Sequence, residues 1–315
     1  MEKMKAVVYD KKVLPDRLVY RDAEKPEPND NEVLIKILAV SVNAADYRSM
    51  GFGIIPKRRI FGADIAGRVE SVGKNIRQLK AGDEVIGELS NAGFGGFAQY
   101  TVAPEKALVL KPAKITFEEA AALPLAAITA LRALRDKGNI QKGHKVLIAG
   151  SGGGVGTFAV QLAKYFGAEV TAVCSTKNVE QSRSLGADDV IDYTKEDFTK
   201  GNKRYDLIIA VNGNRSLSAY RRILNQNGIY VMVGGAMVQI IKSLLFGRLM
   251  SFGSKKMLSL AAKSNQKDME LIVKLAADGT IKPVIDRRYS LDHTADAMRY
   301  VSEGHARGKV VINVN

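Results

Sequence analysis

The stretch from residue 145 to 178, KVLIAGSGGGVGTFAVQLAKYFGAEVTAVCSTKN, restricts the fold of this chain more than any other. An apolar run, a burst of glycines, a helical pattern and a second apolar run follow one another. A glycine-rich turn between a strand and a helix lets the backbone approach a pyrophosphate at the positive end of the helix. The spacing is Ser151-x-Gly153-x-x-Gly156, with serine where the first glycine of such a fingerprint stands. In this context the pattern predicts a dinucleotide site, although a glycine turn can also serve packing alone.

The residues after the second apolar run indicate which dinucleotide is bound. An acid about 20 residues beyond the glycines would accept a hydrogen bond from the ribose 2′-hydroxyl of NAD. Here no acid lies between Val170 and Val179, and the strand ends in Cys174-Ser175-Thr176-Lys177-Asn178. Hydroxyls and a cation suit a 2′-phosphate, so we predict NADPH rather than NADH. Ser175 or Thr176 could instead simply cap the next helix.

The chain as a whole shows two kinds of sequence pattern. Apolar runs at 145–149, 169–174, 189–192, 206–211 and 229–233 alternate with helical patterns. This alternation predicts a doubly wound parallel sheet over residues 116–280, which opens with a capping box of Thr116 and Glu119. Residues 1–115 show short strands separated by turn signals, which indicates an antiparallel barrel. The tail, 281–315, predicts a strand, a helix and a last strand that either extends the parallel sheet or returns to the barrel.

Charge and cysteine content narrow the function classes. The chain has 47 Lys and Arg against 33 Asp and Glu, a formal charge of +14. These basic residues are scattered, so a basic solvated surface is favoured over a nucleic-acid site. The single cysteine, Cys174, excludes an internal disulfide and fits a reducing cytoplasm. We expect neither a leader peptide nor a membrane anchor.

Several motifs in this order give the chain a recognisable pattern: VLIKILAVSVNAADYRSMG, FGADIAGRVESVG, AGDEVIG, GSGGGVGTFAVQLAK, LGADDVIDYTKEDF and GHARGKVVI. The chain resembles the medium-chain dehydrogenase/reductase superfamily, in its zinc-independent quinone oxidoreductase-like branch. The resemblance implies an α/β protein with a GroES-like β-barrel domain, residues 1–115 with 281–315, and a Rossmann domain, residues 116–280. It also implies that the last strand returns to the barrel and that the protein is a homodimer.

The resemblance further implies which residues bind the cofactor. The implied contacts are Gly153, Gly154 and Val155 for the pyrophosphate, Ser175, Lys177 and Tyr193 for the 2′-phosphate, Asn43 and Thr129 near the nicotinamide and its ribose, and Lys309 near the cofactor. Zinc-dependent relatives place Cys and His ligands near the segments that match 43–46 and 62–64. Those segments contain neither residue type here, so we expect no metal.

Without a metal, hydride from NADPH would pass to a small hydrophobic quinone or α,β-unsaturated carbonyl. Tyr47 could donate a hydrogen bond or proton to the substrate oxygen, or could only shape the cleft wall. The apolar segment 236–262 could cover the substrate cleft or form a helix that binds a partner. The alternative function is a non-enzymatic protein of the same fold that binds NADPH or RNA.

Overall fold

A computed structural model describes residues 2–11, 17–56, 58–235, 251, 253–260 and 264–314. The chain forms two compact units, the first made of residues 1–126 with 264–315 and the second of residues 127–263. Most of segment 236–262, for which the sequence predicts a cleft cover or a partner helix, lies outside the described residues. The two units are described separately below.

The strands, in chain order, are β1 Lys3–Tyr9, β2 Leu18–Glu24, β3 Glu32–Val42, β4 Asp64–Val72, β5 Glu84–Glu88, β6 Tyr100–Pro104, β7 Leu108–Leu110, β8 Lys145–Ala149, β9 Glu169–Cys174, β10 Asp189–Asp192, β11 Tyr205–Ala210, β12 Leu224–Met232, β13 Lys256–Ser259, β14 Ile285–Ser290 and β15 Lys309–Asn313. The α-helices are α1 Ala44–Gly51, α2 Phe117–Ala121, α3 Pro124–Arg132, α4 Gly154–Tyr165, α5 Val179–Ser184, α6 Leu217–Arg222, α7 Gln266–Ala277 and α8 Thr294–Ser302.

The first unit is built on a seven-stranded sheet in the order β14-β15-β3-β4-β5-β7, with β6 also paired to β3. A separate antiparallel pair, β1 and β2, joins the same apolar core. The last strand, β15, pairs antiparallel with β3, so that Val310 lies opposite Val42. This confirms that the C-terminal strand returns to the GroES-like domain, a point that the apolar pattern alone had left open.

The boundary of this unit differs from the prediction at both ends. Helix α2 begins at the predicted cap, where the Glu119 amide donates to Thr116 Oγ1 at 3.2 Å and the Thr116 amide donates to Glu119 Oε2 at 2.9 Å. However, α2 packs on β3 and β4, and α7 packs on β7. Both helices therefore belong to the first unit. The predicted boundaries differ because a helical pattern in the sequence does not specify which sheet the helix covers.

The second unit is a six-stranded parallel sheet in the order β10-β9-β8-β11-β12-β13. Its central strands are buried along almost their whole length, as expected for a sheet covered on both faces. The chain begins at β8, proceeds outward to β10, and then returns to the other side of β8 to continue with β11. This reversal is the switch point at which doubly wound sheets bind ligands, outside the carboxyl ends of the strands. The predicted Rossmann fold is confirmed.

Candidate functional site

The glycine turn joins β8 to α4 at the switch point of the parallel sheet. Gly150 has φ +91°, which favours glycine, and its amide donates to the Val173 carbonyl at 2.9 Å. A Cβ on Gly156 would collide with the Gly150 carbonyl oxygen and lie 2.7 Å from the Ser151 Cα atom. Gly156 thus lets the helix pack closely against the turn.

Gly153, at the N-cap of α4, has different surroundings from Gly156. A Cβ at this position would meet no atom within 4 Å, so the protein itself does not require glycine here. The turn is therefore open beside the first amides of α4, where an anion can approach the helix N-terminus. The resemblance implies Gly153, Gly154 and Val155 as the pyrophosphate contacts, and the open space at Gly153 is compatible with that expectation.

Ser151 replaces the first glycine of the fingerprint and is completely buried. Its hydroxyl lies 2.9 Å from Ser182 Oγ and donates to the Val173 carbonyl at 3.3 Å. The serine therefore ties the turn to β9 and α5. The departure from the usual spacing has a structural reason and leaves the open side of the turn unchanged.

The carboxyl ends of β9 and β10 bring together the residues expected to bind a 2′-phosphate. The two strands pair in parallel with Cys174 opposite Asp192, and the Tyr193 amide donates to the Cys174 carbonyl at 3.0 Å. Ser175 and Lys177 follow β9 directly, and Tyr193 follows β10. Lys177 is exposed and Tyr193 is 41% exposed. These side chains lie beside solvent at one edge of the sheet.

The sequence pattern did not identify Asp192, whose carboxylate lies at this same edge. One carboxylate oxygen accepts a hydrogen bond from the Thr176 hydroxyl at 2.6 Å, and the other accepts from the Thr194 hydroxyl at 2.7 Å. These hydrogen bonds lower the pKa of Asp192. The position expected for an acid is the end of β9, whereas this carboxylate comes from the neighbouring strand. The strand register is the signal that reveals it.

The first unit contains a buried polar group that we call the Asn43 cluster, made of Asn43, Asp46, Asp64 and Lys309. The Lys309 ammonium donates to Asn43 Oδ1 at 2.6 Å and lies 3.6 Å from Asp64 Oδ2. The Asn43 side-chain amide donates to Asp64 Oδ2 at 2.9 Å. The side chains of Lys309 and Asp64 are 3% and 0% exposed, so this ion pair is removed from water.

The two carboxylates of the Asn43 cluster hold backbone segments, Asp46 at the start of α1 and Asp64 at the start of α3. Asp46 accepts from the Asn43 amide at 2.8 Å and from the Gly62 amide at 3.1 Å, and Asp64 accepts from the Leu125 amide at 3.1 Å. Burial raises the pKa of Asp46 and of Asp64 to about 7 and lowers the pKa of Lys309. Burial thus opposes the charged form of each of these groups, and the Lys309 ammonium opposes that effect at both carboxyls.

The remaining residues selected from the sequence lie elsewhere in their units. Tyr47 lies half-buried on α1, with the Arg48 guanidinium carbon 5.9 Å from its ring centre. Thr129 is buried in α3. Cys174 is buried, and burial raises the pKa of its thiol, which disfavours the nucleophilic thiolate.

Within the described part of the chain, no group of three or more His, Cys, Asp or Glu side chains is arranged to hold a metal ion. The helices of that same part are all too short or too polar to cross a bilayer.

Comparison with known proteins places both units in one family. Residues 29–113 match the alcohol dehydrogenase GroES-like domain, and residues 185–312 match the zinc-binding dehydrogenase family. A chloroplast envelope quinone oxidoreductase homolog of Arabidopsis thaliana is 33% identical over 305 residues, which cover 91% of each chain. An NADPH-dependent alkenal/one oxidoreductase of the same plant is also 33% identical, over 91% of this chain and 73% of that protein.

Among solved structures, the quinone oxidoreductase from Coxiella burnetii superposes with a TM-score of 0.87 at 28% identity, covering 100% of both chains. Segments 43–46 and 62–64 of this chain contain neither Cys nor His. The chain therefore belongs to the medium-chain dehydrogenase/reductase superfamily, in its zinc-independent quinone oxidoreductase-like branch, and is an oxidoreductase that binds a nicotinamide cofactor.

Proposed function

We propose that this oxidoreductase uses NADPH to reduce a quinone or an α,β-unsaturated carbonyl compound. The observation that carries the proposal is the open glycine turn at the switch point, together with Ser175 and Lys177, which follow the next strand, β9. The names of the relatives support it, because they include quinone oxidoreductases and an NADPH-dependent alkenal/one oxidoreductase.

In this proposal the pyrophosphate is bound at the N-terminus of α4. Gly153, Gly154 and Val155 present backbone amides at the start of a 12-residue helix, and the helix dipole favours an anion there. No side chain at Gly153 obstructs the approach.

The 2′-phosphate is proposed to lie at the ends of β9 and β10. Lys177 supplies a positive charge, and Ser175 and Tyr193 supply hydroxyl groups that can donate hydrogen bonds to phosphate oxygens. NADH has no such phosphate, so these side chains would favour NADPH.

Asn43, Thr129 and Lys309 are proposed to act near the nicotinamide and its ribose. Because Lys309 donates to Asn43 Oδ1 at 2.6 Å, these two residues would act as one unit, with Lys309 fixing the orientation of the Asn43 amide. Thr129, which is buried in α3, would contribute a hydroxyl.

A bound reduced nicotinamide supplies a hydride. Reduction of a conjugated carbonyl leaves negative charge on the substrate oxygen, and a placed hydrogen-bond donor stabilises that charge. Tyr47 is the proposed donor, because its phenol can give a hydrogen bond or a proton.

Cofactor choice is tested by thermal unfolding with NADPH and with NADH. A ligand that binds only the native state raises Tm, so NADPH should raise Tm more than NADH at the same concentration. Substrate class is tested by following NADPH absorbance with quinones, enones and enals. Equal stabilisation by NADH, or no turnover with any of these acceptors, would contradict the proposal.

The role of Tyr47 is tested by Tyr47→Phe, with Tyr20→Phe on β2 as a matched control. If Tyr47 donates, its loss lowers kcat by about 100-fold while the control keeps its rate. Unchanged kcat in Tyr47→Phe would show instead that the ring only shapes the cleft wall.

We further propose a homodimer and a cytoplasmic location. Light scattering coupled to gel filtration measures the mass directly, and a mass near that of one chain would contradict the dimer. Fluorescent tagging in the source cell would test the location.

A further inference from the structure

Two short turns of the second unit have nearly the same sequence, Asp192-Tyr193-Thr194 and Asp197-Phe198-Thr199. In each turn the threonine amide donates to Oδ1 of the aspartate at 3.0 Å, and the threonine hydroxyl donates to the same oxygen at 2.7 Å. Locally the two turns are equivalent. Any difference between the roles of the two aspartates comes from their other contacts.

The second carboxylate oxygen distinguishes Asp192 from Asp197. Asp192 Oδ2 accepts a hydrogen bond from the Thr176 hydroxyl at 2.6 Å, and Thr176 Oγ1 also lies 3.0 Å from Thr194 Oγ1. Each aspartate also has an ion pair within its own surroundings: Lys195 Nζ lies 3.8 Å from Asp192 Oδ2, and Arg215 Nε lies 3.4 Å from Asp197 Oδ1. Asp192 therefore joins the turn that follows β9 to the turn that follows β10.

The position of this link gives it a functional meaning. Thr176 lies between Ser175 and Lys177 in the chain, and Tyr193 lies between Asp192 and Thr194. The link thus joins the two backbone segments that carry all three proposed 2′-phosphate ligands.

We infer that Asp192 is a positioning residue for the 2′-phosphate of NADPH, which it does not itself bind. Its carboxylate holds the two turns at a fixed separation through Thr176 and Thr194, so that the side chains of Ser175, Lys177 and Tyr193 meet one phosphate. This inference rests on the proposed use of NADPH.

A carboxylate at this edge could alternatively weaken phosphate binding by charge repulsion. The two roles predict opposite effects when the carboxylate is removed. Positioning predicts weaker binding of the phosphate in Asp192→Ala, whereas repulsion predicts tighter binding in both Asp192→Ala and Asp192→Asn.

The experiment measures binding of 2′,5′-ADP and of 5′-AMP by calorimetry, since the two probes differ only in the 2′-phosphate. Asp192→Ala should weaken binding of 2′,5′-ADP by about five-fold, the equivalent of one lost hydrogen-bonded contact, and leave binding of 5′-AMP unchanged. Asp192→Asn keeps the size and a hydrogen-bonding side chain, so it should stay within about two-fold of the wild type. With saturating acceptor, KM for NADPH should rise in Asp192→Ala while kcat stays unchanged.

Asp197→Ala is the matched control, because it removes the same local turn contacts without touching the end of β9. It should leave the ratio of the two affinities at the wild-type value, even if it lowers Tm as much as Asp192→Ala does. If Asp197→Ala lowered the preference for 2′,5′-ADP over 5′-AMP as much as Asp192→Ala does, the inference would be overturned.

Three other outcomes would also overturn it. These are an unchanged ratio in Asp192→Ala, equal weakening of both probes, and tighter binding of 2′,5′-ADP in Asp192→Asn. Failure of the proposed use of NADPH gives a different result from failure of this inference. In that case the wild-type protein itself would bind 5′-AMP as tightly as 2′,5′-ADP.

Discussion

The Asn43 cluster of the first unit and the cofactor edge of the second unit, which comprises the glycine turn and the ends of β9 and β10, are both polar. They differ in how their polar groups are satisfied. In the Asn43 cluster the charges are buried and bind one another. At the cofactor edge Lys177 and Tyr193 are exposed. The first arrangement contributes to folding, and the second is suited to a ligand.

The energetic consequence follows from desolvation. Removing one partner of a buried ion pair leaves an uncompensated charge in a medium of low dielectric, which strongly destabilises the fold. Removing an exposed charge changes stability little, because water already solvates it. Substitutions in the Asn43 cluster should therefore change the free energy of unfolding, and those at the cofactor edge should change ligand affinity.

The largest expected effect is that of Lys309→Met. This substitution leaves Asp64 and Asp46 buried without their ammonium and should lower the free energy of unfolding by about 3–5 kcal/mol. Urea denaturation measures the change. The control is Lys74→Met, because Lys74 pairs with Asp30 at 2.8 Å in an exposed position and should cost less than about 1 kcal/mol. Equal losses in the two variants would remove the distinction between the regions.

The pH dependence of stability is the second test of the Asn43 cluster. Burial raises the pKa of Asp46 from 3.8 to about 7. Burial and the neighbouring Glu88 likewise raise the pKa of Asp64 to about 7, against the opposing effect of the Lys309 ammonium. Between these two values the folded chain holds protons that the unfolded chain has lost. The contribution of these carboxyls to stability is thus complete below about pH 4 and is lost as the pH rises to about 7, by about 1.4 kcal/mol per pH unit for each proton.

The comparison of wild type with Asp46→Asn isolates this contribution from that of other groups. Asp46→Asn should be less stable at pH 5, because it no longer accepts hydrogen bonds with both oxygens, and its stability should fall less between pH 5 and pH 8. Denaturant titrations at the two pH values give the slopes. A slope identical to that of the wild type would show that Asp46 does not titrate in this range.

The sequence predicted much of the second unit because its signals are local. The bounds of β8, β9 and β10 agree with the apolar runs 145–149, 169–174 and 189–192. In the first unit, the Thr116 cap is likewise where the capping box predicts it. Continuous apolar strands and caps depend on residues only a few positions apart. Strand β7 has only three residues, too few to show a pattern, and was not predicted. Strand β13 lies within segment 236–262, for which the sequence predicted a cleft cover or a partner helix instead.

The Asn43 cluster and Asp192 could not be found in this way. Asp46 and Asp64 lie in different elements. Lys309 is near the end of the chain and reaches them only because β15 pairs with β3. Similarly, Asp192 reaches Thr176 only through the register of β9 and β10. The resemblance to a family selected Asn43 and Lys309 as cofactor residues, and the structure adds that these two residues bind each other. Contacts that depend on long-range pairing carry no local signal.

Gly153 and Gly156, which lie in the glycine turn, give the third test, within the cofactor edge itself. Gly156→Ala forces a Cβ against the turn backbone and should cost about 1–3 kcal/mol of stability. Gly153→Ala has open space and should change stability by less than about 0.5 kcal/mol, but the added methyl group should obstruct the pyrophosphate. Thermal unfolding with and without NADPH separates the two effects. If Gly153→Ala kept the full stabilisation by NADPH, the pyrophosphate would have to bind elsewhere.

The smallest expected effect on stability is that of Lys177→Ala, which tests whether the exposed edge serves a ligand. Loss of one charged contact to the 2′-phosphate should weaken NADPH binding by about ten-fold, NADH binding should stay unchanged, and the free energy of unfolding should change by less than about 0.5 kcal/mol. Lys145→Ala is the matched control, since Lys145 is also exposed but begins β8, at the opposite edge of the sheet. Equal loss of NADPH affinity in both variants would indicate a general effect of positive charge. A loss confined to Lys177→Ala, without loss of stability, would place ligand binding at this edge while the Asn43 cluster supports the fold.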